Sequence, residues 1–256
     1  DAQESRGLGD VYKRQQLDSE TLAAVQLSIS IWNILSLAVV GLMVANSPII
    51  GGFWGSSEYE KVRSQFQQCC WLAFPISILI IIAILIGIYG LNSLSISERV
   101  AKIATGYLVP YFITALVFPL FLVFRTTFEG MGNTKPILIF NCIAFVINAA
   151  LDYILVFGKL GAPSLGGIGA AWATTVAYIF LLIAMIFYAK LSKKASRLNL
   201  YYKFEKPSMP LIRGTLNLGI PRSLNLLAEF GFFAVFLFLL IFLLSHVTFE
   251  ATQAHP

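Results

Sequence analysis

Six stretches of this chain carry few charged residues, and each is long enough to cross a bilayer. They run from about Leu22 to Ile50, Phe66 to Tyr89, Ile103 to Phe124, Pro136 to Phe157, Ile168 to Leu191 and Leu211 to Leu244. A hydrocarbon layer about 30 Å thick takes about 20 helical residues to cross. No water is there to satisfy backbone amides, so only helices and closed barrels can span it. Barrel strands would show about ten residues of alternating polarity, and these runs are longer and do not alternate. The expected fold class is therefore an all-α membrane protein, a polytopic helical bundle with about six transmembrane helices. Composition agrees, with 57% hydrophobic and 12% charged residues, where soluble domains average about 25% charged. The net charge of +5 collects beside the ends of the runs and calls for no nucleic-acid partner. Cys69, Cys70 and Cys142 lie within apolar runs and read as small packing residues.

The basic residues orient the bundle. Between Ala189 and Arg213 the chain holds Lys190, Lys193, Lys194, Arg197, Lys203, Lys206 and Arg213 against one acid, Glu205. Positive charge marks cytoplasmic loops, so loop 189–213 is expected inside. Counting back, Arg125 with Lys135, and Lys61 with Arg63, also fall inside, while the outer loops hold Arg99, Lys102 and Lys159. The first run then starts outside, and a preceding helix running outward would complete the pattern. Residues 193–210 read as a linker, with Pro207 and Pro210 keeping part of it extended. They separate five helices in 16–192 from one helix in 211–256. Residues 1–15, "DAQESRGLGDVYKRQ", are polar and differ from the rest. Their "DVYKRQ" resembles an in-frame translation of a sequencing-library adapter, so 1–15 reads as a scar. The expectation is a fragment of a longer protein.

Two motifs stand out. "FRTTFEGMGNTKP", Phe124 to Pro136, joins the third and fourth runs. Gly130 and Gly132 suit positive φ in a tight turn. Thr134 is placed to cap the next helix, and Pro136 suits its first turn. Glu129 reads as a solvated loop acid, and Arg125 as a side chain reaching the inner headgroups. "NAALDYILVFGKLGAPSLGGIGAAWATT", Asn148 to Thr175, holds Asn148 and Asp152 four apart on one helix face. Asp152 lies about 24 Å along its helix from Pro136, and Thr174 about 9 Å into the next helix from the opposite side. The three fall at one depth. From the residues alone, Asp152 is equally a cation ligand or a helix-end acid at the interface.

Together, Arg125 with "GMGNTKP", the Asn148–Thr175 motif, and "LGIP" followed eight residues later by Glu229 resemble the multidrug and toxic compound extrusion (MATE) transporters, most of all their bacterial Na⁺- or H⁺-coupled multidrug branch. The resemblance covers nearly everything after residue 20. It implies twelve helices in two lobes, of which this chain holds the second to seventh. Residues 16–192 would then belong to the N-lobe and 193–210 to the cytoplasmic interlobe linker. Residues 211–256 would be the first, truncated helix of the C-lobe. It also implies that Glu229 is the C-lobe carboxylate that binds the coupling cation or a cationic drug. Asn148, Asp152 and Thr174 would line an N-lobe site, for which Na⁺ is the candidate ion. The first-helix Asp that completes the family's N-lobe site is absent here, as are the acidic partners of Glu229 on later helices.

The implied function is a secondary active antiporter. It exchanges H⁺ or Na⁺ for small amphipathic, often cationic drugs or toxic compounds. The implied protein sits in the inner (plasma) membrane among its lipids, needs no cofactor beyond the coupling ion, is not an enzyme and is monomeric at full length. A lipid-linked oligosaccharide flippase of the same superfamily would line its cavity with several basic residues, whereas Arg222 stands almost alone here. A membrane-embedded enzyme would need paired Asp for Mg²⁺-diphosphate or a His with a nearby acid. The histidines are His246 and His255, near the end of the chain. For Glu229 itself, the other reading is an ion pair with Arg222, two helical turns back on the same face.

Overall fold

The computed structural model describes residues 2–93, 97–192, 198–201 and 203–253, with side chains at 21–91, 93, 97–192, 198–201, 203–233, 235 and 236. Among these residues there are eight helices and no strand. They are α1 (Ala2–Val44), α2 (Asn46–Gly55), α3 (Tyr59–Ser93), α4 (Glu98–Leu108), α5 (Tyr111–Gly130), α6 (Lys135–Phe157), α7 (Gly167–Leu191) and α8 (Met209–Gln253). Stretches 21–55, 59–91, 98–130, 135–157 and 167–191 are long and apolar enough to cross a membrane, and α8 carries the sixth apolar run.

Prolines divide two of the runs. The first breaks at Ala45, where α1 passes into α2. Pro48 lies just beyond, and its ring would strike the carbonyl four residues back, at Val44. The third breaks at Val109–Pro110 between α4 and α5, because Pro110 has no N–H to give to Gly106. The Ser97 hydroxyl caps α4 by accepting from the Val100 amide at 3.3 Å.

The hairpin between α5 and α6 departs from expectation in three places. Glu129 is the penultimate residue of α5, and it takes the Arg125 Nε–H at 2.7 Å in an ion pair one helical turn long. Arg125 is thereby held along its own helix. Thr134 sits at the cap position of α6 with no side-chain hydrogen bond to the helix. Gly132 does take a positive φ of 69°, but Gly130 is helical. There the missing side chain serves a close approach, since a Cβ would lie 2.5 Å from the Ser47 carbonyl oxygen. Pro136 occupies the first turn of α6 as expected.

The interior is centred on α3 and α5, with Phe66, Leu122 and Phe128 almost fully buried. Trp32 of α1 stacks on Tyr111 of α5, ring centroids 4.4 Å apart. Outward faces are apolar, among them Phe74, Ile78 and Leu79 on α3 and Ile139, Phe145 and Val146 on α6. That arrangement suits a hydrocarbon solvent and would be an aggregation liability in water.

Buried polar side chains tie the α3 end of the bundle to α8. Asn46 of α2 donates through Nδ2 to the Thr126 and Thr127 hydroxyls of α5, at 3.0 and 3.2 Å. Its Oδ1 accepts from Gln65 Nε2 and from the Cys69 thiol, both at 3.2 Å. Gln65 Nε2 also donates to the Thr215 hydroxyl of α8 at 2.8 Å. Each of these side chains would be costly to bury alone and is partnered here.

The segment before α8 is fastened to α3. Ser64, Gln67, Gln68 and Trp71 share one face of α3. Gln67 donates to the Leu200 carbonyl at 3.0 Å and accepts from the Glu205 amide at 2.9 Å. Gln68 donates to the Lys206 carbonyl at 3.0 Å and accepts from the Ser208 amide at 2.6 Å. Trp71 Nε1 donates to the Glu205 carbonyl at 2.9 Å, and the Ser64 hydroxyl to the Glu205 carboxylate at 2.6 Å. Tyr201 is only partly covered by this segment, and that partial burial pushes its phenol up to about 12. Of the expected linker, 193–197 and 202 lie outside the described residues, and Pro210 belongs to the first turn of α8.

Helices α1 and α8 cross with their backbones in contact. A Cβ on Gly41 would lie 2.4 Å from Ser223 Cα, and one on Gly219 2.6 Å from the Leu42 carbonyl oxygen. The Ser223 hydroxyl donates to the Ala38 carbonyl at 2.7 Å. Gly41→Ala pushes a methyl group into main chain that no rotamer change can move. It is expected to destabilise the protein by about 1–3 kcal/mol and to lower the thermal midpoint in detergent. Gly52→Ala, where a Cβ meets nothing within 4 Å, serves as the control and should leave the midpoint unchanged.

Candidate functional site

The sequence motif Asn148–Thr175 forms the end of α6, a turn and the start of α7. Gly158 closes α6 at φ 64°, ψ 43°, a left-handed conformation that glycine adopts without steric cost. The Leu165 amide donates back to the Leu155 carbonyl at 2.8 Å. Small residues then let α7 press against α6, where a Cβ on Gly169 would sit 2.8 Å from the Leu155 carbonyl carbon. The close approach follows from the small residues at the start of this run.

That approach brings Asn148 and Thr174 to the lining of one cleft of about 330 Å³, with Asn141, Phe145, Tyr178 and Leu181. Asp152 lies one turn further along the same face of α6. It is half-buried, is not part of that lining, and has a buried Oδ1 with no hydrogen-bond partner. No ion pair joins it to Lys159 among the described residues. Tyr107 and Tyr111 stand within electrostatic range of its carboxylate. An amide oxygen, a hydroxyl and an orphaned carboxylate oxygen are hard donors of the kind that suit a small hard cation. No group of three His, Cys, Asp or Glu side chains fit for a metal occurs among the described residues.

Neighbouring Thr175 has a different task. It is fully buried, shares a 2.9 Å hydrogen bond with the Thr114 hydroxyl of α5, and donates to the Ala171 carbonyl at 2.9 Å. One of two adjacent threonines therefore fastens α7 to α5 while the other faces the cleft.

Glu229 is exposed on α8, as is Arg222. No ion pair joins them among the described residues, so the pairing that sequence spacing allowed is not formed. Seven residues of helix separate them by about 10 Å of rise. The packed face of α8 belongs instead to Thr215, Gly219 and Ser223.

Sequence reasoning passed over Tyr107, Tyr111, Asn141 and Tyr178. Tyr107 and Tyr111 lie on both sides of the Pro110 break, in "YLVPY", where a regular helical count fails, and Tyr178 lies one turn beyond Thr174 on α7. Asn141 is one of a series with Asn148 and Asp152 at spacings of seven and four, a stripe that could have been read directly.

The MatE family model matches residues 5–154. Over 233 residues the chain is 31% identical to the multidrug resistance protein NorM of Aliivibrio fischeri, covering 91% of this chain and 51% of that protein. It is also 31% identical over 239 residues to the probable multidrug resistance protein NorM of Pasteurella multocida. It thus spans about half the length of these curated relatives. Among solved structures, the inward-facing conformation of a multidrug resistance MATE family transporter superposes with a TM-score of 0.72 at 22% identity. That match covers 81% of this chain and 46% of the other and establishes the shared fold. The helical runs, the Asn148–Thr175 hairpin and these likenesses agree: the chain belongs to the MatE family of multidrug and toxic compound extrusion transporters.

Proposed function

We propose that the protein carrying this chain is a secondary active multidrug efflux antiporter that exchanges H⁺ or Na⁺ for amphipathic, often cationic compounds. The observation that carries the reading is the placement of two separate carboxylates within apolar helices, Asp152 without a hydrogen-bond partner for its buried Oδ1 and Glu229 exposed with no ion pair among the described residues. An ionised group at such depth costs roughly 3 kcal/mol on insertion scales and normally faces a cavity that uses its charge. Emptied of its cation, Glu229 attracts a cationic substrate. Occupied by H⁺ or Na⁺, it releases it. Asp152, Asn148 and Thr174 form the second place where a cation can bind, with Na⁺ fitting the oxygen donors. The coupling free energy then lies in the exclusion of cation and substrate from one carboxylate at one time.

In this reading 16–192 belongs to the first lobe, 193–210 to the interlobe linker and 211–256 to the first helix of the second lobe. Loop 189–213 faces the cytoplasm and the protein resides in the plasma membrane as a monomer. The similarity to NorM proteins supports the transport class.

Three measurements test this. In intact cells, an impermeant thiol reagent should label Lys159→Cys and leave Lys206→Cys unlabelled, and the opposite pattern would reverse the orientation. Glu229→Gln in the full-length transporter should bring ethidium efflux to near background while the amount of folded protein holds. Normal efflux by that variant removes Glu229 from the mechanism. Asp152→Asn should lower the dependence of efflux on the driving cation gradient more than it lowers drug binding in detergent. Equal loss of both would make Asp152 a structural residue.

A further inference from the structure

Two groups of contacts hold α8 to the helices before it, and they differ in kind. The segment ahead of α8 is bound to α3 through its main chain, and the last of those bonds runs from the Ser208 amide to Gln68. Within α8 the contacts are made by Thr215, Gly219 and Ser223, all buried and spaced four apart on one face. No residue of α8 after Ser223 is buried among the described residues. The contact is thus confined to about the first 21 Å of the helix, the end beside loop 189–213.

The hydrogen-bond donors in this contact have alternatives on their own side. Gln65 Nε2 carries two hydrogens and faces three acceptors: the Thr215 hydroxyl at 2.8 Å, Asn46 Oδ1 at 3.2 Å and Cys69 Sγ at 3.4 Å. If α8 withdraws, both hydrogens still have acceptors. The Thr215 hydroxyl donates to the Leu211 carbonyl of its own helix at 3.3 Å and keeps that bond. Ser223 gives its hydrogen to the Ala38 carbonyl, but it also stands four residues after Gly219. At that spacing Ser28 and Ser77 donate to carbonyls of their own helices. The crossings at Gly41 and Gly219 interlock no glycine side chain, so they can separate without a rotamer change there. An orphaned buried donor is the main cost of breaking such a joint, and separation here creates none. The strap differs, because parting it would take an amide and a carbonyl at once from each of two buried side chains, Gln67 and Gln68.

We propose that Thr215, Gly219 and Ser223 form a latch on the cytoplasmic side that opens and closes during transport while the strap stays fastened. Helix α8 swings about the residues between Ser208 and Thr215. That stretch has Pro210 in its first turn and includes Gly214, where a Cβ would meet nothing within 4 Å. The proposal rests on the antiport reading, in which the site opens to one side of the membrane at a time, and it assigns the residues that seal the inner side. A two-state element of this kind needs contacts that can be broken and remade.

The test uses the full-length transporter with Cys69 as its one native cysteine. The Cys69 thiol lies within hydrogen-bond range of the Thr215 hydroxyl, so Thr215→Cys sets a second thiol against it. Oxidation with copper phenanthroline joins the two sulfurs; the thiol hydrogens leave as protons and two electrons pass to the oxidant. Ethidium efflux should stop on oxidation and return with dithiothreitol. Efflux that continues with the disulfide formed makes the contact a permanent joint and overturns the proposal. If no disulfide forms, a second variant decides. Thr215→Val keeps the shape and removes one neutral hydrogen bond, which moves a two-state equilibrium about fivefold. In inside-out vesicles a maleimide should then modify Cys69 about fivefold faster than in the Thr215 protein. A parallel protein that retains Cys70 alone, the buried thiol on the Tyr201 side of α3, should show no change. An unchanged Cys69 rate overturns the proposal, and so does an equal rise at Cys70, which would mark a general loosening of α3. The two readings fail separately: absence of ethidium efflux from the unmodified transporter counts against antiport, whereas the thiol rates read the latch with no drug present.

Discussion

In hydrocarbon a polar group must find its partner within the protein, and that requirement organises how the last helix is attached. Asn46 is the hub. Its amide engages Thr126 and Thr127 on one side and Gln65 with Cys69 on the other, and Gln65 passes the chain of bonds on to Thr215. The break at Ala45, three residues before Pro48, lets Asn46 turn inward at the junction of α1 and α2. With Thr215 anchored there, the glycine contacts at Gly41 and Gly219 fix the crossing of α1 and α8. That crossing decides which side of α8 meets packed protein. The position of Glu229 follows from hydrogen bonds fourteen residues and more before it in the chain.

The helices were legible in the sequence because bilayer thickness sets their length and apolar composition marks it. What composition does not reveal is where a run breaks. The first and third runs each hold a proline, but so do the unbroken helices α3 and α5, at Pro75 and Pro119. Packing decides which prolines divide a helix. The sequence likewise put Glu129 in a loop, since the two glycines that follow it look like turn residues. One of them is a helical contact point, and the helix extends to include Glu129 and its bond to Arg125.

The candidate sites were legible to different degrees. Spacing alone brought Asn148 and Thr174 to one level, and the structure places both at one cleft. It could not tell that Asp152 would stay outside the cleft lining with an unpartnered, buried Oδ1, because that depends on how α6 packs against its neighbours. For Glu229 and Arg222 the sequence offered an ion pair or two independent charges. The rise of a helix favours the second, since side chains two turns apart share a face without touching.

The strap over α3 is held through its main chain. Gln67 and Gln68 each recognise one carbonyl and one amide of the passing segment, and such contacts are indifferent to the side chains that segment carries. The segment is thus gauged by count and not by composition. Any residue with an amide hydrogen can keep the glutamine contacts at 205 and 208, and at 205 the carboxylate adds one side-chain bond, from the Ser64 hydroxyl. Adding or removing one residue between 200 and 208 would shift every partner past its glutamine and leave buried amide groups unpaired. Evolution of this connection should therefore tolerate rewriting but resist any change of length.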